Sequence, residues 1–470
     1  RPFNEANYKA LLEGLEVTVK KNIEILENNP TLRLDAEFFK KEYLTLYKSL
    51  FSKPCVKLEV IASWITQGPN PKFVEDGIPC LTGRNINNGR VNYYGADFLS
   101  EEEYNNYKRF QLEKGDTLIT LKGLGSIGKI GFVTESKKAI FSRDIGLIRP
   151  KGIDPGYVNA FILSKYGKKI INRGETGGTG QRTLATTYLK NIDIPRLSIE
   201  DVISNLIEES ELVLKRSNIL YAQAESLLLE NLGLNNFVTN NDPLNIKSFK
   251  NSFDASGRLD AEYYQKKYED LLVHIENHLN WKYLKDLTTY ISNGNQPPYS
   301  ENGTIKFFSQ KWIGDHSIDY SFLTSDEEPQ VDELFFKDEK NKPSLVNKGD
   351  ILYYSVGANL GYCHNYLADE PIAVGSFINI IRADKTKINE IYLGVVLNSM
   401  VGRLQGEKEK SGMAQPYIYA KSLREFKIPI LNDDEQREIS DCIESGQQLR
   451  NQSEQLLETA KRAVEMAIEE

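Results

Sequence analysis

The segment Arg33-Leu-Asp-Ala-Glu-Phe-Phe-Lys-Lys-Glu-Tyr43 returns 225 positions later as Arg258-Leu-Asp-Ala-Glu-Tyr-Tyr-Gln-Lys-Lys-Tyr268. Further matches follow in the same order. Gly115-Asp-Thr-Leu-Ile-Thr120 returns as Gly349-Asp-Ile-Leu-Tyr-Tyr354 at an offset of 234. Gln181, Leu184, Leu189, Ile192, Ile194 and Pro195 are answered, at that same offset, by Gln415, Ile418, Leu423, Phe426, Ile428 and Pro429. Ordered matches of this kind come from duplication. A chain of 470 residues, long enough for more than one core, thus resolves into two copies of a unit of about 230 residues.

The middles of the copies have diverged. They hold short alternating runs bounded by Gly, Asn or Pro, at 114–120, 130–134 and 145–149, then at 350–355 and 377–382. A helical stretch follows in each, over 155–173 and 387–405, so the expectation is two mixed α/β domains in an α+β chain. Each copy ends in a helix with a seven-residue period. Ile203, Leu206, Ser210, Val213, Ser217, Leu220, Ala224 and Leu227 step by threes and fours; Ile439, Cys442, Gly446, Leu449, Ser453, Leu456, Ala460 and Ala463 do the same 236 positions on. Small residues at every second seam position let two backbones approach closely. That predicts two long antiparallel helices forming a coiled coil, with a pseudo-two-fold internal repeat of the kind that readers of paired half-sites use.

The net charge of -8 argues against a uniformly basic nucleic-acid binder, although 165–196 carries seven basic residues against Glu175 and Asp193. No uninterrupted apolar run is long enough for a membrane span, and the charged N-terminal stretch has no signal-peptide core, so the expected location is cytoplasmic, with no membrane partner. Cys55, Cys80, Cys363 and Cys442 are scattered, which fits neither a disulfide framework nor a zinc cluster.

Several patterns point toward catalysis and fall short of it. Gly123-Leu-Gly125-Ser-Ile-Gly128 has the spacing of a dinucleotide loop, but Lys129-Ile-Gly-Phe-Val133 reads as a strand where that loop needs a helix, so the glycines form a turn between strands. Asn295-Gln-Pro-Pro-Tyr299 nearly spells the loop of amino-methyltransferases, with Gln in place of its Asp or Asn. Asp116 with Glu135-Ser-Lys137 resembles a nuclease carboxylate set but has no counterpart in the second copy. His274 and His278 flank their acid at the wrong position for a zinc-protease helix. The metal expectation is none.

The repeated Arg-Leu-Asp-Ala-Glu segments, the Gly-Asp strand with its glycine turn (115–128 and 349–361) and the Ile192-x-Ile-Pro195 run resemble the specificity subunits of type I restriction-modification systems. Ile246 to Gly257, ahead of the second Arg-Leu-Asp-Ala-Glu, is similar to that family as well. The resemblance implies an N-terminal helical segment and repeat start at 1–43 and a first target recognition domain at 44–200. A central helix at 201–234, a linker and repeat start at 235–280, a second recognition domain at 281–430 and a C-terminal helix at 431–470 complete the order. It implies a non-catalytic reader of double-stranded DNA with a bipartite target, docking two modification (methyltransferase) subunits, with restriction subunits joining that complex. The cofactor expectation is none in this chain, with S-adenosylmethionine held by the methyltransferase partners. The alternative is a catalytic DNA methyltransferase or nuclease with its own active site.

Arg pairs with guanine, Asn and Gln with adenine, and Lys chiefly with phosphate. On that basis the DNA-binding candidates in the first copy are Asn70, Lys72, Arg84, Asn85, Lys122, Ser126, Arg143, Gln181 and Arg182. In the second they are Gln296, Tyr299, Lys311, Trp312, Asn359, Gln415 and Tyr417. The catalytic expectation is none.

Overall fold

The computed structural model describes residues 4, 8, 10–11, 25, 29–93, 95–123, 126–178, 182–240, 242, 244–313, 317–325, 328–357, 360–412 and 415–470. Of the N-terminal helical segment and repeat start expected at 1–43, residues 1–28 lie almost wholly outside them. The chain divides into two compact units, Arg1–Leu214 with Asn451–Glu470, and Lys215–Arg450.

The first unit carries a six-stranded sheet. Its order is Ala62–Gln67, Ile145–Pro150, Thr117–Thr120, Ile130–Phe132, Gly89–Val91 and Ile86–Asn87, antiparallel throughout except between Ile130–Phe132 and Gly89–Val91. A second sheet sets Ile78–Leu81 between Asp97–Leu99 and Ile140–Phe141. The second unit repeats the plan with Thr288–Asn293, Ile378–Ala383, Ile351–Tyr354 and Cys363–Asn365, and a sheet of Gln330–Val331, Ile305–Phe308 and Ile372–Val374. The strands on either side of the Gly123–Gly128 run, Thr117–Thr120 and Ile130–Phe132, are therefore antiparallel neighbours, and a strand follows these glycines.

Each helical stretch expected as one element is two. Pro155–Leu163 and Lys165–Gly174 break at Ser164, and Glu390–Asn398 and Met400–Glu409 break at Ser399. Both serines cap the second helix through their side chains. The glycines just past them permit the sharp bend, since a Cβ on Gly167 would lie 2.3 Å from the Phe161 carbonyl oxygen and one on Gly402 2.0 Å from that of Leu397. The repeated Ile-Pro ends are tied down in the same way. Asp193–Pro195 pairs with Cys55–Lys57 and Lys427–Pro429 with Trp281–Tyr283, while buried Tyr157 and Tyr392 donate to the Pro195 and Pro429 carbonyls at 2.5 and 2.9 Å.

The long helices are Glu200–Asn231 and Asp433–Glu469. In the first unit Ile203 and Ile207 share the core with Ala460, Val464 and Ile468, and Ser210 Oγ donates to the Ser453 carbonyl at 2.8 Å. In the second unit Ser217 Oγ donates to the Gly446 carbonyl at 2.6 Å, and Ala224 and Leu228 share a core with Ile439 and Cys442. Within each unit the two helix segments therefore run antiparallel, with small residues at the closest approach.

Candidate nucleic-acid interface

In the first unit the strand Ala62–Gln67 ends where Ile145–Pro150 begins and Thr117–Thr120 ends, because neighbours are antiparallel. Loops from distant parts of the chain consequently open at one end of the sheet. Gly68 N–H donates to the Ile145 carbonyl at 2.9 Å, Leu121 N–H to that of Asp144 at 2.7 Å, and Leu184 N–H to that of Leu121 at 2.9 Å. Lys122 bridges to Thr183, and Gln67 Nε2 holds the Arg143 carbonyl at 2.6 Å. Ser142 N–H donates to the Leu81 carbonyl at 2.8 Å, which brings in the turn bearing Arg84.

The result is a tip with exposed cations. The side chains of Arg84, Arg143 and Arg182 are 58%, 62% and 64% accessible, and Lys122 is exposed. Each arginine has an acidic neighbour: Asp97 at 2.5 Å, Asp144 at 4.0 Å and Glu175 at 3.2 Å. Exposed pairs of this kind contribute about 0–1 kcal/mol, so a phosphate or guanine can replace the carboxylate at little cost. Asn70 and Lys72 are exposed on the loop after Gln67, where the Lys72 backbone N–H donates to Glu103 at 3.0 Å.

Three nominated residues of this copy stand differently. Asn85 is 2% exposed, and its Oδ1 accepts from Thr82 N–H at 2.9 Å while its Nδ2 donates to the Asn92 carbonyl at 3.0 Å, so it caps a turn instead of facing outward. Ser126 belongs to the hairpin turn, where its carbonyl accepts the Thr120 hydroxyl. Gln181 lies outside the described residues.

The second unit builds the same tip from the same bonds. Gly294 N–H donates to the Ile378 carbonyl at 2.8 Å, Ser355 N–H to that of Phe377 at 3.1 Å, and Ile418 N–H to that of Ser355 at 2.9 Å. Asn293 Nδ2 holds the Ser376 carbonyl at 2.8 Å, and Val356 bridges to Tyr417. Here Gln296, Tyr299 and Gln415 are exposed, and the Gln296 amide donates to the Tyr299 hydroxyl at 3.3 Å. Tyr417 accepts the Tyr419 hydroxyl at 2.9 Å, a bond that raises the Tyr419 pKa. Trp312, at the position that matches Asn85, packs against Phe322 at 6.1 Å and lies partly buried against that core. Asn359 and the side chain of Lys311 lie outside the described residues. Phe377 and Tyr419, 57% and 47% exposed, were not nominated; a loop aromatic is indistinguishable from a core residue in sequence, and only the repeat's alignment could have singled them out.

The other signals become structural. Of the basic residues at 165–196, Arg173 is buried over Phe38 and Tyr47, Lys165 pairs with Glu469, Lys169 with Glu42 at 3.2 Å and Arg196 with Glu200 at 2.8 Å. Asp116 is fully buried under Arg149, which removes it from any carboxylate set facing solvent. His274 Nε2 meets the Leu232 carbonyl at 2.8 Å, at the end of the first long helix. Asn295 of the Pro-Pro loop bonds Asn341 at 3.1 Å. Among the described residues no group of three His, Cys, Asp or Glu could hold a metal, and no helix is long and apolar enough to cross a membrane.

One loop-built tip made twice, with matching backbone bonds and different side chains, defines a recognition module carried in two versions on a common frame. The family described as "Type I restriction modification DNA specificity domain" matches residues 79–209 and 279–459, more than half of the chain, and the chain belongs to it as a type I specificity subunit. The MjaVIII specificity subunit of Methanocaldococcus jannaschii is 29% identical over 135 residues, 28% of this chain and 32% of that one. The EcoBI specificity subunit of Escherichia coli is 30% identical over 156 residues, 33% and 31% of the two chains. The match thus spans about a third of the length of either relative. A crystal structure of a type I restriction-modification S subunit from M. genitalium aligns at a TM-score of 0.39 and 13% identity, over 88% of this chain and 95% of that one.

Proposed function

We propose that this chain is the non-catalytic DNA-recognition subunit of a restriction-modification complex, each unit reading one half of a bipartite target with its tip. The observation that carries this reading is the duplicated tip itself. Its backbone framework is kept while the side chains it displays differ, which is what two unlike half-sites demand. The long helices would set the spacer between the halves and dock two methyltransferase subunits, which would use S-adenosylmethionine to methylate adenine. Restriction subunits would join that assembly. The net charge of -8 fits a chain whose specific contacts are local and whose partners supply further clamp surface.

Methylome sequencing of cells expressing this chain with its modification subunit tests the reading. A gapped, asymmetric motif with methyladenine in both halves is the expected outcome. An ungapped motif, or methylation independent of this chain, overturns it.

A further inference from the structure

The matching bonds of the two tips align them residue by residue. Gly68 falls on Gly294, Leu121 on Ser355, Asp144 on Phe377 and Leu184 on Ile418, since each pair makes the same backbone contacts. Gln67 and Asn293 hold the Arg143 and Ser376 carbonyls, so Arg143 falls on Ser376. The bridges Lys122 to Thr183 and Val356 to Tyr417 place Lys122 on Val356 and Thr183 on Tyr417, and Arg182, one residue earlier, on Pro416.

At these aligned positions the charges of the first tip are gone from the second, while Arg84, one residue before the Asn85 that Trp312 matches, is answered by Lys311. Lys122, Arg143 and Arg182 become Val356, Ser376 and Pro416, and Asp144 becomes the half-exposed ring of Phe377. Ser355, bonded to the Phe377 carbonyl, also accepts from Ile418 N–H, and on either side of Ile418 the Tyr417 and Tyr419 rings lie 4.6 Å apart and edge to face, with Lys421 Nζ 5.2 Å from the Tyr419 ring. Exposed aromatic rings clustered at a loop tip leave apolar surface in water, and a partner with apolar features of its own removes that cost. On a duplex the apolar feature of the major groove is the thymine 5-methyl group, whereas guanine and phosphate offer acceptors to arginine and lysine.

We infer that the two tips read by opposite chemistry, the first through cationic contacts to guanine edges and phosphate, the second through aromatic contacts to thymine methyl groups. This rests on the reading that the tips face DNA, and it assigns the class of base feature each one takes.

The test uses the complete complex of this chain with its modification subunits, on the duplex that methylome sequencing defines. Lys122→Val and Arg143→Ser each lower the slope of log affinity against log salt by about one. Phe377→Ser and Tyr417→Thr weaken binding about tenfold and leave that slope unchanged. Replacing thymine by deoxyuridine, which keeps the pairing and removes the methyl, weakens binding about tenfold in one half-site only. The Phe377→Ser complex no longer responds to that replacement, which ties the sensitive half to the second unit. All four side chains lie at the surface tip, and retained co-purification with the modification subunits shows that the variants are folded.

Indifference to deoxyuridine in both halves, a thymine-free half-site assigned to the second unit, or unchanged salt slopes for the lysine and arginine variants overturns the inference while specific binding persists. Loss of specific two-part binding by the unaltered complex instead overturns the underlying reading.

Discussion

Arg149 holds Asp116 with two parallel hydrogen bonds of 2.8 Å, Nε to one carboxylate oxygen and Nη2 to the other. The pair recurs in the second unit, where Arg382 holds Asp350 at 2.7 Å through the same two nitrogens. Asp116 and Asp350 are 0% and 3% exposed, and each bond joins neighbouring strands of the main sheet. Each aspartate also accepts a backbone N–H three residues before it, from Glu113 and Asn347. The Gly-Asp motif thus staples a turn and a strand to the sheet that carries the tip.

Removing Asp116 takes from Arg149 its buried counterion and leaves it only the exposed Glu113 carboxylate, 2.5 Å from Nη1. Asp116→Asn is expected to lower stability by about 3 kcal/mol, the low end for a broken buried pair because Arg149 retains some solvent access. Urea unfolding checks it; a shift under 1 kcal/mol would mean that the pair is dispensable.

A second lock occurs in the first unit alone. Arg90 donates through Nη2 to Ser453 Oγ at 2.5 Å and lies 3.5 Å from Glu211, so it ties the Ile86–Val91 hairpin to the helix segments. Matching hairpin bonds place Ser317 at the equivalent position of the second unit, where it lines a cavity of about 60 Å³ with Tyr221 and Gln447. Gln447 answers Glu211 at the offset of 236, so arginine and carboxylate are lost together. Arg90→Ser should therefore cost about 2 kcal/mol, and Arg90→Ser with Glu211→Gln less than the sum of the two single changes. A double-mutant cycle by urea unfolding measures this. Strict additivity would show that the two groups do not interact.

The repeated Arg-Leu-Asp-Ala-Glu segment has a pH signature. The Arg33 guanidinium, bonded at 2.7 Å, holds Asp35 below its ordinary carboxylate value, and Arg258 does the same for Asp260. A pKa lowered by folding means that the unfolded chain binds the extra proton first. The stabilisation is therefore complete above the unfolded value near 3.8 and is lost as pH falls through the lower folded values. Asp35→Asn and Asp260→Asn should flatten the acid limb of the stability profile below about pH 4 and leave its slope near neutrality unchanged. An acid limb as steep as that of the unaltered chain would remove these aspartates from the account.

Much of this was legible in the sequence because duplication marks what both copies keep. The Gly-Asp strands, the Ile-x-Ile-Pro ends and the small seam residues all repeat, and all sit where the backbone must be held. Arg149 and Arg382 repeat too, but their partners are 33 and 32 residues away, and only the sheet brings arginine and aspartate together. The breaks at Ser164 and Ser399 were hidden because the apolar pattern runs through both helices, and the bend depends on tertiary packing. Asn85 and Trp312 read as loop residues, yet their turn folds inward, using one as a cap and packing the other against the core. Tip residues resist sequence reading for the opposite reason: they diverge, so no repetition marks them until the matching backbone bonds supply the alignment.

The small seam residues lead to the last prediction, within the second unit. A Cβ on Gly446 would lie 3.3 Å from the Tyr221 ring and 3.4 Å from the Ser217 carbonyl oxygen. These groups cannot withdraw freely, because Ser217 Oγ is bonded to the Gly446 carbonyl at 2.6 Å and the Tyr221 hydroxyl to Gln447 Oε1 at 3.1 Å. Gly446→Ala pits a tight contact against the better helix propensity of alanine, about 1 kcal/mol, and should leave stability nearly unchanged. Gly446→Leu adds three further carbons at the closest approach of the two segments and should cost about 2 kcal/mol by overpacking. Gln448→Leu, an exposed position on the same helix, serves as the control and should stay within about 0.5 kcal/mol. Thermal or urea unfolding of the three variants decides the matter: equal effects of leucine at 446 and at 448 would mean that the segments do not meet at this glycine.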